Sequence, residues 1–200
     1  MTLPDLKNKR FAILGLQGSG KSELSRQILK TEPAHLVYDV HHEYEGMNRY
    51  LVEHKQVVNP GKSSDPGIAE LNRVVTMIVL DSGKIRLFLA DEMNRYCPSK
   101  YPLPGAILRL NDDSRHEKIA FGVIARRAVQ LNTDLLELAH YIFIFRLPGK
   151  NDRQYLEGMS EGLGDAVREL PEYSFMVVDP SRNFTIHPPL EISEPFMTRS

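Results

Sequence analysis

Apolar residues in this chain fall into short unbroken runs, and between the runs they recur at helical spacing. Phe11 to Leu14 is such a run and ends in Gly15; after Gly20, Leu24, Ile28 and Leu29 share one helical face, so the segment reads strand, loop, helix. His35 to Val40 reads as a second strand and Gln56 to Asn59 as a third, bounded by Pro60 and Gly61. Asp65 and Pro66 then start a helix on which Ile68, Leu71, Val75 and Ile78 repeat, and Ser82-Gly83 stop it. Ile85 to Ala90, Ile119 to Ala125 and Tyr141 to Arg146 read as buried strands, with Asp134 to Tyr141 helical between the last two. Phe175 to Asp179 and Asn183 to His187 flank a Pro-Ser-Arg turn as a terminal hairpin. Strands that are apolar nearly throughout and alternate with helices predict an α/β fold, its sheet mostly parallel and covered on both faces.

Composition leaves that picture intact. A chain of 200 residues, 42% hydrophobic and 26% charged, suits one globular domain over 1–200. Its core is expected at about 8–150, with a C-terminal helix and hairpin region at about 151–190. Cys97 is the only cysteine, which excludes an intrachain disulfide and a cysteine-based zinc site and suits a reducing compartment. The opening MTLPDLKNKR lacks the apolar run of a signal peptide, so no export is expected. The longest apolar stretches, Val74 to Leu80 and Tyr141 to Phe145, fall short of the roughly 20 residues a membrane helix needs. Lys and Arg total 25 against 26 Asp and Glu, so any nucleic-acid contact must come from a local patch.

The chemistry begins at GLQGSGKS. Gly15, Gly20, Lys21 and Ser22 meet the pattern G-x-x-x-x-G-K-[ST], with Gln17, Gly18 and Ser19 inside the loop. Glycines let successive amides turn around an anion, and the following helix adds its positive end. Lys21 is placed to reach the β- and γ-phosphates of ATP, and Ser22 to ligate Mg²⁺. The strand ending in Asp91 and Glu92 supplies the second acidic element: Asp91 for Mg²⁺, Glu92 to orient and deprotonate the attacking water. A small GTPase or nucleotide kinase does not need that second carboxylate, so the pair points to ATP hydrolysis coupled to work.

With these elements the chain resembles the ring-forming DNA-pumping ATPases of the HerA/FtsK superfamily. The resemblance rests on VYDVHHEY (37–44), ADEMNRYCP (90–98), SRHEKIAFGVIARR (114–127) and LLELAHYIFIFRL (135–147). It implies a three-layer P-loop NTPase fold of the additional-strand, catalytic-glutamate type with a short C-terminal β-hairpin. It also implies that Arg115 reaches into a neighbouring subunit's ATP site. Arg126 stands where the superfamily carries a phosphate-sensing glutamine, so either Arg126 senses the γ-phosphate as a cation or Gln130 supplies the amide. Glu43 either faces the nucleotide or is a solvated loop residue. Adjacent His41 and His42 point apart and lack a third ligand, which disfavours a metal. Tyr96, Lys100, Tyr101 and Arg109 mix cations with aromatics and either touch nucleic acid or form a plain surface loop.

The small size makes the chain most similar to the genome-packaging ATPases of tailless icosahedral viruses with an internal membrane. That similarity implies a homo-oligomeric ring, pentamer or hexamer, moving double-stranded DNA into a preformed capsid. Capsid-vertex or viral membrane proteins would be further partners, in the infected cell's cytoplasm or at the virion vertex. The alternatives are a cellular translocase, a single-strand phage-assembly ATPase, a P-loop kinase with Arg126-Arg127 as its lid, and a nucleotide-gated assembly switch.

Overall fold

The structure is a computed structural model that describes residues 3–190; residues 1–2 and 191–200, the two ends of the expected 1–200 domain, lie outside the described residues. Among the described residues one sheet forms from β1 (Arg10–Leu14), β2 (His35–Asp39), β3 (Arg49–Leu51), β4 (Leu87–Ala90), β5 (Ala120–Ala125), β6 (Tyr141–Phe145), β7 (Phe175–Val178) and β8 (Phe184–His187). Their order is β3-β2-β4-β5-β1-β6-β7-β8. Strands β1 to β6 run parallel, and β7 and β8 join antiparallel. β5 lies between the strand that leads into the glycine loop and the strand that ends in the acidic pair, which is the additional-strand arrangement.

Alternation within the strands divides the core into two layers. Phe11 and Ile13 of β1 and Phe143 and Phe145 of β6 point to the face covered by α1 (Lys21–Lys30), where Leu24, Ile28 and Leu29 meet them. Ala12, Leu14, Ile142 and Ile144 point to the other face. There they pack with α2 (Pro66–Val74), α4 (Gly105–Asp113), α5 (Thr133–Glu137), α6 (Lys150–Met159) and α7 (Leu163–Arg168). Gly122 of β5 is required by this packing. A Cβ there would stand 2.3 Å from Phe11 Cζ and 2.7 Å from Leu89 Cδ1, so the Phe11 ring fills the space a side chain would take.

Several elements depart from the sequence reading. Gln56 to Asn59 is loop, and the third strand is Arg49–Leu51, a half-exposed edge strand paired with β2 that has no apolar run to announce it. The amides of Val58 and Asn59 go instead to the Asp65 carboxylate, at 3.0 and 2.9 Å, and the same group caps α2. The predicted helix is α2 continued by a π-helical turn, Val75–Leu80. The helix expected over Asp134 to Tyr141 ends at Glu137, because Tyr141 begins β6. α4 was not legible: its N-cap position is Pro104, which offers no capping side chain. The terminal hairpin forms and extends the main sheet through β7 beside β6. Among the described residues no helix is long and apolar enough to cross a membrane.

Candidate active site

All the parallel strands deliver their carboxyl ends to one edge of the sheet, and the glycine loop leaves β1 there. Gly18 and Gly20 have φ of +76° and +106°, a backbone region that side chains resist and that the loop's tight turn requires. Gly15 is confined differently: a Cβ would lie 2.6 Å from Ser19 Oγ and 2.8 Å from Phe145 Cβ. Phe145 thus floors the loop from β6. Ser19 Oγ is buried in the loop without a hydrogen-bond partner among the described residues, and Lys21 Nζ donates to the Leu16 carbonyl at 2.8 Å. A loop bent through two left-handed glycines, an orphaned hydroxyl and a lysine folded across it fit a polyphosphate.

Asp91 and Glu92 follow β4 at the same edge. Burial pushes the Asp91 carboxyl up to about 7, with Glu92 and Glu43 adding to the rise, while the Glu92 amide and Lys21 oppose it. A carboxyl held so reluctantly as an anion is poised to accept a cation. Burial lowers the Lys21 ammonium, the Asp91, Glu92 and Glu43 carboxylates draw it back up, and Arg126 lowers it further. These residues therefore share one electrostatic cluster.

Glu43 reaches the cluster because Asp39 holds its loop. The fully buried Asp39 carboxylate accepts from the Glu43 amide at 2.9 Å, the Tyr44 amide at 3.1 Å and Arg49 Nη1 at 3.1 Å. His42, at φ +62°, turns the chain between them. Ser22 Oγ donates to Glu43 Oε2 at 2.8 Å, so the hydroxyl expected to ligate Mg²⁺ is already beside a carboxylate. Glu43 is exposed and at the same time within hydrogen-bond reach of Ser22, the second residue of α1.

Glu92 occupies a left-handed conformation, φ 53° and ψ 34°, at the junction of β4 and α3 (Met93–Tyr96). Strain of this kind on a non-glycine residue needs support from its surroundings. Arg126 Nε lies 2.9 Å from Oε1 and Arg95 Nε 3.0 Å from Oε2, with His41 Nε2 3.8 Å from Oε1. The carboxylate is thus spanned by two guanidinium groups. Arg126, at the end of β5, joins the cluster, whereas Gln130 is exposed and uses its carbonyl to hold the Ser99 amide at 3.1 Å. Arg127 is committed to buried Asp152 at 2.8 Å.

Arg115 is elsewhere. It is exposed in the turn before β5, at the amino end of the sheet, where it and Arg10 help depress the imidazole of His140 after burial has done most of it. The length of β1, roughly 15 Å, separates it from its own glycine loop. Tyr96 is buried with its hydroxyl on the His54 carbonyl at 3.1 Å, and Arg109 pairs with Asp81 and Glu117 at 4.0 and 3.4 Å. Tyr96 is thereby withdrawn from the surface, while Lys100, Tyr101 and Arg109 are exposed. Arg95 and Asp39 were missed by sequence reasoning. The spacing of Glu92 and Arg95, three apart on a helix, was the available signal for the first. A hollow of about 870 Å³ between Leu3, Leu6, Ile28, Arg86 and Lys118 lies at the amino end and contains none of this set, so its size does not make it the active site.

The strand order and the glycine loop define the P-loop NTPase fold of the additional-strand type. The chain is similar in structure to the genome packaging NTPase B204 from Sulfolobus turreted icosahedral virus 2 in complex with AMPPCP, with a TM-score of 0.75 and 18% identity over 94% of this chain and 100% of that one. It is likewise similar to B204, the DNA-packaging ATPase from Sulfolobus Turreted Icosahedral Virus, with a TM-score of 0.76 and 18% identity over the same shares. The N-terminal domain of zonular occludens toxin from Neisseria meningitidis follows at 0.57, with 11% identity over 92% and 95%. The chain matches no protein-family model and no curated protein. At these identities the likeness establishes the fold.

Proposed function

We propose that this protein is an ATPase that moves double-stranded DNA, most specifically a viral genome-packaging motor that fills a preformed capsid. The observation that carries the reading is Glu92, set beside Asp91 at the glycine loop and spanned by Arg95 and Arg126. The whole-chain likeness to packaging NTPases supports the step from hydrolysis to DNA.

In this reading the loop amides and Lys21 would hold the β- and γ-phosphates of ATP, and Ser22 and Asp91 would hold Mg²⁺. When bound, the cation would supply neutralisation of phosphate charge. Glu43 accepts the Ser22 hydroxyl hydrogen and so would orient the oxygen lone pairs towards the cation. Arg126 shifts from Glu92 to the γ-phosphate, which frees one Glu92 oxygen to take a proton from water. Arg115 sits at the end of the sheet opposite the glycine loop, so its role as an arginine finger calls for head-to-tail packing, the carboxyl edge of one subunit facing the amino end of the next. Such heterologous contacts close into a ring, and a pentamer or hexamer is proposed. Capsid-vertex or viral membrane proteins would anchor that ring in the infected cell or at the virion vertex.

The kinase alternative loses support because Arg127 is tied to Asp152. The assembly-switch alternative draws on the same clamp: a Glu92 that never left its two arginines would bind ATP without turning it over. The test is ATP turnover with and without DNA. Acceleration by duplex and not by single strands supports the motor, and transfer of γ-phosphate to an acceptor other than water would overturn it.

A further inference from the structure

One surface beside the active site combines charge, exposure and a direct connection to Glu92. Residues 55–62 and 98–101 pack into a crest at the carboxyl edge of the sheet: the Cβ position of Gly61 lies 3.0 Å from the Tyr101 ring. Both loops are braced. Asp65 holds the Val58 and Asn59 amides, Asn132 Nδ2 donates to the Tyr101 carbonyl at 2.9 Å, and the Ser99 amide bonds the Gln130 carbonyl.

No acid interrupts the chain from Lys55 to Ser64 or from Met93 to Asn111. Glu53 and Asp65 bound the first stretch, and Asp65 is buried and occupied by amides. Among the described residues Lys55, Lys62 and Lys100 form no ion pair, whereas Arg109 in the same acid-free stretch does. Tyr101 is 46% exposed and Val58 78%, so an aromatic hydroxyl and an apolar tip stand among the lysines. Lysines without acids suit phosphates, and a tyrosine hydroxyl can donate to them. A single exposed aromatic does not make the stacking platform that single strands require, so the surface favours a duplex backbone.

The connection runs through Arg95. Its Nη1 donates to the Lys55 carbonyl at 3.4 Å, its Nη2 lies 3.3 Å from His41 Nε2, and its Nε holds Glu92 Oε2 at 3.0 Å. A hollow of about 360 Å³ bounded by Lys55, Gln56, Val57, Val58 and Arg95 leaves the loop room to move. We infer that this crest meets double-stranded nucleic acid and that Arg95 is a positioning residue that passes the crest's displacement to Glu92. The inference rests on the motor reading. Phosphates that draw Lys55 outward pull its carbonyl from Arg95, and Arg95 then loosens its hold on the carboxylate.

The test measures ATP turnover against rising duplex DNA, and duplex affinity at several salt concentrations, for the natural chain, a Lys55→Ala/Lys62→Ala/Lys100→Ala variant and Arg95→Lys. The triple variant keeps turnover without DNA within about twofold, loses stimulation, and shows a slope of log affinity against log salt shallower by roughly 2 to 3. Arg95→Lys keeps duplex affinity and loses stimulation, an uncoupling that a merely structural role would not give. Melting temperatures check that both variants fold. Natural stimulation in the triple variant overturns the crest alone, and natural stimulation in Arg95→Lys overturns the relay. A natural chain whose turnover ignores every DNA overturns the motor reading and this assignment with it.

Discussion

Asp39→Asn is the substitution that most directly connects the fold to the site. The aspartate is fully buried and accepts from the Glu43 amide, the Tyr44 amide and Arg49 Nη1. Asparagine keeps the size and one acceptor oxygen, which can retain the Glu43 amide. Its NH₂ then opposes the Tyr44 amide and the Arg49 guanidinium, so two donors lose an ionised acceptor. Hydrogen bonds to charged groups contribute about 1.5–3 kcal/mol each, and Arg49 is partly exposed, so the combined cost is roughly 2–4 kcal/mol. For a chain of this size each kcal/mol lowers Tm by about 2–4 °C, which predicts a drop of roughly 5–15 °C. Because the same carboxylate holds the loop that brings Glu43 to Ser22, the Mg²⁺ concentration for half-maximal turnover should also rise. Thermal unfolding and a Mg²⁺ titration of turnover are the assays. A Tm within about 2 °C of the natural chain, with an unchanged Mg²⁺ requirement, would refute the role given to Asp39.

Other consequences are open to measurement. Gly122→Ala pushes a methyl into the Phe11 ring and should cost roughly 1–3 kcal/mol, toward the upper end because β5 and β1 are both central; recovery of Tm on adding Phe11→Leu would confirm the collision, and an unchanged Tm in the single variant would deny it. Burial disfavours the charge of Glu70, but the Glu53 and His54 amides and the Tyr50 hydroxyl outweigh it and hold the carboxyl below its ordinary value. Its stabilisation is therefore complete above the unfolded value of about 4.3 and is lost as pH falls through the lower folded value; Glu70→Gln should flatten that acid limb of Tm against pH, and an identical limb would exclude Glu70 from it. Arg115→Ala and Lys21→Ala should each abolish hydrolysis, Arg115→Ala while still binding ATP, and mixing the two should restore part of it at interfaces that pair an intact loop with an intact arginine. No recovery on mixing argues against a shared site.

The glycine loop and the acidic pair were legible because each is local: contiguous residues make the loop, and Asp91 and Glu92 follow directly on the apolar run of β4. The parallel sheet was legible from strands apolar on both faces. β3 was not, since RYL is half exposed and gains its place from pairing with β2. Contacts distant in sequence were equally hidden. Phe145 floors the loop from β6, Asp39 governs Glu43 through backbone amides, and Arg126 meets Glu92 because β5 lies beside β4. Spacing alone placed neither Arg126 nor Gln130: the Arg126 side chain meets Glu92 from the end of β5, and the Gln130 backbone carbonyl accepts from the Ser99 amide.

The most direct test of the central claim is steady-state ATP hydrolysis by the natural chain and by Glu92→Gln, measured side by side with nucleotide binding. Loss of a general base slows turnover by about 10²–10⁴. The account predicts multiple turnovers by the natural chain and a fall of that order in the variant, with ATP binding retained. Equal and negligible rates in both, with ATP bound, would contradict it and leave a nucleotide-gated switch in its place.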